Sequence, residues 1–226
     1  MNRNTDHVKG FIIMYKKQMM LQRILCILMI VISAVVFVYA LGYMTDANDM
    51  IRDCALGYEP DINEDPEVKA AIEARKVPMR QYMQDMNLFD RDLVRIGIAL
   101  ILISLTLLLT NTHIRRKYYI SNYIAILINA VAAFAASIWA HQQIIRLKSQ
   151  YYSGAIDFEY VRFTTATFVR ENSVNVYTES AFWFDAHYYI FGAMLLIAAL
   201  LILNAIWKTI LMRREKEALA MGRTGD

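Results

Sequence analysis

Four long apolar stretches are the feature that most constrains the fold of this 226-residue chain. They cover residues 24–44, 96–110, 120–140 and 189–206, and none of them contains Asp, Glu, Lys, Arg or His. A membrane-spanning helix needs about 20 mainly apolar residues, and the second stretch reaches that length when it is extended to 93–112. Because lipid offers backbone groups no hydrogen-bond partners, such spans are helical. The sequence therefore predicts a mainly α integral membrane protein with a four-transmembrane-helix bundle.

The segments that flank these spans differ in their content of basic residues. The N-terminal segment, the short link after the second span and the C-terminal tail together carry thirteen Lys and Arg against four acids. The two long loops, counted over residues 45–95 and 142–187, carry eleven basic residues against seventeen acids. Because Lys and Arg concentrate in cytoplasmic segments, we expect both termini in the cytoplasm and both long loops outside, in a plasma membrane. The predicted segments, in chain order, are residues 1–23 (cytoplasmic), 24–44 (first span), 45–92 (outer loop), 93–112 (second span), 113–118 (cytoplasmic link), 119–141 (third span), 142–187 (outer loop), 188–207 (fourth span) and 208–226 (cytoplasmic tail).

The first span has an alternative interpretation as a cleavable signal peptide, because Lys16, Lys17 and Arg23 precede an apolar run. The apolar core of a signal peptide is usually about 7–15 residues long, whereas this run covers residues 24–44. We therefore expect a retained membrane helix.

The first outer loop is acidic and has a mostly helical pattern. Asp65 followed by Pro66 is typical of an N-cap and first helical turn. Pro78 is expected to end this helix, because proline lacks the backbone N–H that a helix interior requires. Apolar residues at helical spacing then predict a second helix, which continues into the second span. These residues are Met79, Tyr82, Met83, Met86, Leu88 and Leu93.

The second outer loop begins as an extension of the third span and then changes character. Gly154 offers a stop for the helix, and from residue 158 β-branched and aromatic residues alternate with polar ones. Residues 171–173 resemble a turn, and residues 174–178 form a second β-rich run. An isolated hairpin is marginally stable in water. We therefore expect the two outer loops to fold together into a small mixed α/β ectodomain.

An exposed strand edge in this ectodomain is a template for pairing with another chain. It predicts a partner-binding surface, although the strands also have a simpler role in stabilising the ectodomain. The residues of this surface are Phe158, Tyr160, Arg162, Phe163, Phe168, Val174, Val176 and Tyr177.

Small residues in the third span predict close helix packing, because they let helix backbones approach one another and amides form hydrogen bonds across the contact. Asn129 is the deepest amide, and its packing role competes with a pore-lining role. The predicted packing residues are Ala125, Asn129, Ala132, Ala133, Ala136, Ala140 and, on the fourth span, Gly192.

The search for chemistry yields only weak candidates. His141 and His187 flank the second outer loop and, with Asp185, are the best candidates for a metal or acid–base cluster. Histidines at helix ends commonly have structural roles, so we predict no metal, cofactor or catalytic site. Ionisable residues inside spans mark most proton relays and ion-coupled transporters, and these cores contain none. The sequence therefore does not indicate an enzyme.

The layout of inner termini and two outer loops resembles that of tetraspanins, claudins and connexin-type channels. Those families link their outer loops through several cysteines, whereas this chain has one outer cysteine, Cys54, so no residue is carried over. We expect a non-catalytic scaffold or accessory subunit whose ectodomain binds a partner protein. A homo-oligomeric channel is the alternative. The expected partners are membrane lipid and a protein or a second copy of the chain, and not nucleic acid.

Overall fold

The computed structural model describes residues 3–41, 48, 50–112, 119–169 and 181–223. Helices account for most of these residues, and no strand occurs among them. The elements are α1 (Arg3–Leu41), a short π-helical segment (Met50–Leu56), α2 (Pro66–Thr112), α3 (Tyr119–Tyr152), α4 (Phe158–Val169) and α5 (Ala181–Arg223).

Four of these helices, α1, α2, α3 and α5, are long and apolar enough to cross a membrane. The prediction of a mainly α protein with four candidate spans is therefore confirmed for the described part of the chain, and it is consistent with an integral membrane protein. Residues 24–41 of the first apolar stretch and all of the other three lie within helices that extend well past the length of one span.

The predicted mixed α/β ectodomain is wrong, since the first predicted strand is helix α4. The Asp157 side chain accepts a hydrogen bond from the Tyr160 N–H over 3.0 Å, as an N-cap does. The Asp157 carbonyl accepts from the Val161 N–H over 2.9 Å. The buried residues of α4 recur with a helical period, and they are Tyr160, Val161, Thr164 and Thr165. Because β-propensity depends strongly on context, the cap and this buried face outweigh the alternating pattern. The second predicted strand, residues 174–178, lies outside the described residues.

The prediction that Pro78 ends a helix is also wrong, because α2 continues through this residue. Next to this proline, Met79 is fully buried and the Lys76 ammonium donates to the Tyr58 carbonyl oxygen over 2.6 Å. Tertiary contacts on both sides of Pro78 thus hold the chain helical despite the missing N–H. The start of α2 is as predicted, with the Asp65 side chain accepting from the Glu67 N–H over 3.0 Å.

Two glycines mark chain reversals. Gly154 follows α3 with a φ of +96°, a left-handed conformation that L side chains rarely adopt, and this confirms the predicted helix stop. Gly57 follows the π-helical segment, and a Cβ at this position would lie 2.6 Å from the Asp53 carbonyl oxygen. Both positions therefore require glycine.

The described residues divide into two compact units. Unit 1 lies within Met1–Val35, Gly97–Ser137 and Phe191–Asp226, and unit 2 lies within Val36–Ile96 and Ile138–Ile190. Leu25, Met29, Leu107, Ile126, Met194 and Leu201 belong to the core of unit 1. Ile51, Tyr82, Leu93, Ile144, Tyr151 and Phe184 belong to the core of unit 2.

The helical stripe predicted on α2 is nearly all buried within unit 2. Met79, Tyr82, Met83, Met86 and Leu93 are buried, and Leu88 is half exposed. Within the same unit, α4 packs against the π-helical segment.

Candidate functional site

The interior of unit 1 contains a chain of hydrogen-bonded amide side chains. Gln18 Nε2 donates to Gln22 Oε1 over 3.1 Å, and Gln22 Nε2 donates to Asn122 Oδ1 over 2.7 Å. Asn122 Nδ2 donates to Thr110 Oγ1 over 3.3 Å, and Lys208 Nζ donates to Asn122 Oδ1 over 3.4 Å. Since the three amide side chains are buried, these bonds offset the cost of removing polar groups from water. Asn122 thereby connects α1, α2, α3 and α5.

A second polar group joins three helices within unit 1. Ser104 Oγ donates to Asn129 Oδ1 over 3.1 Å, and Asn129 Nδ2 donates to the Ile103 carbonyl oxygen over 3.1 Å. The hydroxyl oxygens of Ser33 and Ser104 are 3.3 Å apart. Ser33, Ser104 and Asn129 are all buried. Their arrangement is that of interhelical hydrogen bonds in a membrane protein.

Asn204 differs from the other buried amides of unit 1. It is 3% exposed, and neither side-chain atom has a hydrogen-bond partner among the described residues. A cavity of about 180 Å³ lies beside it, lined otherwise by Leu21, Leu25, Leu200, Leu203 and Trp207. The bonding of this amide is therefore incomplete within the described part of the chain.

The predicted packing residues of the third span lie mostly in the interior. Ala125, Asn129, Ala133, Ala136 and Ala140 are buried, and Ala132 is half-buried. Gly192 is exposed, and a Cβ added to it would meet no atom within 4 Å. A role of these residues in close helix approach stays a prediction.

Unit 2 is organised around stacked aromatic rings. Tyr39 and Trp183 stack with ring centroids 4.7 Å apart, and the Tyr39 hydroxyl donates to the Trp183 carbonyl oxygen over 2.9 Å. Phe89 stacks on Trp139 at 5.4 Å and meets Trp183 edge-on at 6.3 Å. Such offset and edge-to-face pairs add stabilisation beyond the area they bury. These rings bring together residues from α1, α2, α3 and α5.

The two candidate histidines come together in unit 2. His141 Nδ1 and His187 Nε2 are 3.1 Å apart, and His187 Nδ1 contacts the Phe184 carbonyl oxygen. Because a carbonyl oxygen only accepts, His187 Nδ1 carries a proton, and in the neutral ring its Nε2 accepts from His141 Nδ1–H. Asp185 instead accepts from the Lys148 ammonium over 2.7 Å. No group of three or more His, Cys, Asp or Glu side chains placed to hold a metal ion occurs in the described part of the chain.

The predicted partner-binding residues on α4 divide between its two faces. Tyr160 lies in the interior of unit 2, where its hydroxyl donates to the Ala55 carbonyl oxygen over 3.2 Å, and burial raises the pKa of this phenol. Arg162 and Phe163 are exposed, and 57% of Phe163 is accessible to solvent. Phe158 is half-buried.

Four further residues belong to the predicted partner-binding surface. Phe168 is part of helix α4. Val174, Val176 and Tyr177 lie outside the described residues. The exposed residues of this prediction that the structure describes are Arg162 and Phe163 on α4.

A cavity of about 160 Å³ lies in unit 2 between α2 and α3. Its polar lining comes from Asp85 and Asp92 on α2 and from Gln143 and Arg146 on α3. Its apolar lining consists of Leu88, Phe89, Trp139 and Leu147.

Three side chains hold the Asp85 carboxylate. Arg146 Nη2 and Gln150 Nε2 donate to Asp85 Oδ2 over 2.9 and 3.0 Å, and Gln81 Nε2 donates to Oδ1 over 3.2 Å. Asp85 is consequently only 16% exposed, while Arg146 is 59% exposed. The guanidinium is thus fixed at one end and accessible at the other.

No protein-family model, curated protein or solved structure matches the chain. Its residues define an all-helical chain, in its described part, with four helices suited to cross a membrane. We assign the chain to this broad class and to no particular family.

Two features of these sites were not predicted from the sequence. Gln18 and Gln22 lie in the segment assigned to the cytoplasm, yet both are buried. A signal was present, because residues 18, 22, 25, 29 and 33 recur every three or four positions and form one buried stripe of α1. The Asp85–Arg146 pair had no such local signal, since 61 residues separate its members.

Proposed function

We propose that this protein is a non-catalytic scaffold or accessory subunit of a plasma membrane, with both termini in the cytoplasm and unit 2 presented for contact with a partner protein. The distribution of basic residues supports this orientation. The observation that carries the proposal is the exposed face of helix α4.

This face is a continuous stripe at helical spacing that we call the α4 stripe. It consists of Glu159, Arg162, Phe163 and Ala166, all of which are exposed. The opposite face of α4 is buried within unit 2. The helix is therefore anchored by one face and presents the other.

The chemistry of the α4 stripe suits a protein contact. Phe163 meets the Tyr58 ring edge-on, with centroids 5.9 Å apart, so its orientation is set before any partner binds. Aromatic residues and arginine are enriched in the centres of protein interfaces, where they contribute most of the binding energy. Burial of an exposed, pre-positioned ring costs little side-chain entropy. Phe163 is accordingly the expected centre of the contact, with Arg162 beside it.

A channel assembled from several copies is less well supported. Its walls would require polar side chains on the outer surface of the four-span unit, because a single four-helix bundle leaves no room for a pore. In unit 1 the amides Gln22, Asn122 and Asn129 instead hydrogen-bond inside one chain. Those side chains are occupied in helix packing.

The test is co-purification from native membranes in a mild detergent, with the mass of the complex measured by light scattering. The double variant Phe163→Ala with Arg162→Ala removes the centre of the α4 stripe. The matched control is Val77→Ala, which shortens an apolar side chain of unit 2 that is 60% exposed but lies on α2.

We expect the wild-type chain and the Val77→Ala control to elute with a partner protein in a fixed ratio. We expect the double variant to lose that partner while keeping its own melting temperature. A partner retained by the double variant would contradict the assignment of the surface. A ring-sized homo-oligomer that conducts ions in a bilayer would instead favour the channel.

A further inference from the structure

The cavity of unit 2 contains groups of both charges next to aromatic rings. Its lining holds two carboxylates, Asp85 and Asp92, and one guanidinium, Arg146. Such a lining accommodates a ligand that carries a cation and an anion together, and its excess of carboxylates disfavours a ligand with a net negative charge. We propose that this cavity binds the headgroup of a phospholipid that carries a primary ammonium group, such as phosphatidylethanolamine.

The anion-binding part of the cavity is Arg146. Its contact with Asp85 fixes the guanidinium, while its five N–H donors leave several for a second acceptor. A planar guanidinium held in this way binds phosphate oxygens in a two-pronged geometry. The Asp85 carboxylate already accepts three hydrogen bonds, one of them from Arg146. Asp85 is therefore a positioning residue that holds the Arg146 guanidinium in place.

The cation-binding part is Asp92, with Gln143 on the facing helix. Asp92 accepts a hydrogen bond from Arg95 through Oδ1 and is 46% exposed, so the carboxylate is accessible. A primary ammonium donates hydrogen bonds to such a group. A quaternary ammonium has no N–H to donate to Asp92 and relies on aromatic faces, and the stacking of Phe89 on Trp139, with 20° between their planes, covers one face of each ring. Ethanolamine is therefore favoured over choline.

Size and position favour a lipid headgroup over a whole soluble ligand. The volume of about 160 Å³ is below the about 300–1,000 Å³ of pockets that enclose drug-sized molecules. Leu88 is half exposed at the cavity, which suits a ligand whose apolar part remains outside. Trp139 is a residue type that favours the membrane–water boundary, and the sequence places it near the outer end of the third span.

The experiment measures lipid binding to the delipidated full-length chain in detergent by native mass spectrometry. The probes are phosphatidylethanolamine, phosphatidylcholine and phosphatidylglycerol with identical acyl chains. Asp92→Asn should weaken phosphatidylethanolamine binding about tenfold, the effect of losing one charge-assisted hydrogen bond. It should weaken phosphatidylcholine less and should not weaken phosphatidylglycerol, because it removes a carboxylate that repels an anionic lipid. Arg146→Gln should weaken all three lipids alike, since all contain a phosphate.

Asp53→Asn is the matched control. Asp53 is an exposed acid of unit 2, and it forms a salt bridge with its neighbour Arg52. It should bind lipids as the wild type does. Equal affinity of the wild type for the three lipids would overturn the proposal, and this result needs no variant to fold. An unchanged lipid preference in a folded Asp92→Asn variant would overturn it as well. Soluble phosphoethanolamine should compete only weakly, and efficient displacement by it would assign the cavity to a soluble ligand.

Discussion

The two units handle buried polar groups in different ways. Unit 1 uses mostly neutral amides and hydroxyls, as in the contacts of Asn122 and Asn129, and the Lys208 ammonium is a charged donor to Asn122. Unit 2 uses ion pairs, such as that between the buried Lys76 and Glu73 and that between the exposed Arg146 and Asp85, together with stacked rings around Trp183. Charges are costly in hydrocarbon, whereas neutral side chains can satisfy one another there. The difference is the one expected if the unit 1 helices lie in lipid and unit 2 contains the loops that reach water.

The two units should also differ in how strongly a single substitution lowers their stability. Aromatic residues that are fully buried contribute large apolar areas, so removal of one ring leaves a cavity. A hydrogen bond inside a membrane contributes less, because the separated helices also find polar partners. Substitutions in unit 2 should therefore have the larger effects.

The largest effect is expected for Phe184→Ala in unit 2. Phe184 is fully buried and its ring centroid is 5.4 Å from those of Tyr151 and Trp183. Loss of this ring should lower the free energy of unfolding by about 3–5 kcal/mol. Phe182→Ala, two residues earlier and 72% exposed, should change it by less than about 0.5 kcal/mol. Detergent-resistance titrations of both variants measure this, and equal losses would contradict a core built on Phe184.

A smaller effect is expected for Asn122→Ala in unit 1. This change removes the acceptor of Gln22 Nε2 and of the Lys208 ammonium. Buried donors left without partners should cost about 1–3 kcal/mol. Thr106→Ala is the control, because Thr106 is exposed and, among the described residues, donates to the Ile103 carbonyl oxygen of its own helix. A loss no greater than that of the control would show that the amide chain does not stabilise unit 1.

The cap of α4 should contribute about 1 kcal/mol. Asp157→Ala removes both the N-cap and the contact with Arg75 Nη1, which lies 3.3 Å from Asp157 Oδ2. Asp157→Asn removes the charge and keeps a capping side chain. We expect the alanine variant to lose about 0.5–2 kcal/mol of unfolding free energy and the asparagine variant almost none. Equal losses in the two variants would attribute the effect to the ion pair and weaken the helical assignment.

The smallest effect is expected for the coupling between Ser104 and Asn129. Their side chains share one hydrogen bond of 3.1 Å. A double-mutant cycle with Ser104→Ala and Asn129→Ala should give a coupling free energy of about 0.6 kcal/mol, as for other hydrogen bonds within membranes. A coupling of zero would mean that the two side chains do not bond in the folded protein.

The sequence predicts the helical framework well because its signals are local. Apolar length identifies the four candidate spans, and the predicted cap at Asp65 and stop at Gly154 lie at helix ends. The assignment of α4 fails because alternation over twelve residues is a weaker determinant than a cap and a packed face. The helix end predicted at Pro78 fails because tertiary contacts of the neighbouring residues outweigh the local effect of proline.

The candidate sites are predicted only in part, since they depend on contacts between distant segments. The structure brings His141 and His187 together, whereas a metal or acid–base role for them stays a prediction. The cavity around Asp85 and Arg146 was not predicted, because nothing in either local sequence identifies its partner. The burial of Gln18 and Gln22 is not predicted, because the predicted first span begins at residue 24.

The most direct test of the central proposal is a photo-cross-linking scan along α4 in intact cells. A benzophenone amino acid replaces one residue at a time, at the exposed positions Glu159, Phe163 and Ala166 and at the buried positions Val161 and Thr164. We predict cross-links to another protein from the three exposed positions and none from the two buried ones. Cross-links at every second residue, or equal yields at all five positions, would contradict a helix that presents one face to a partner.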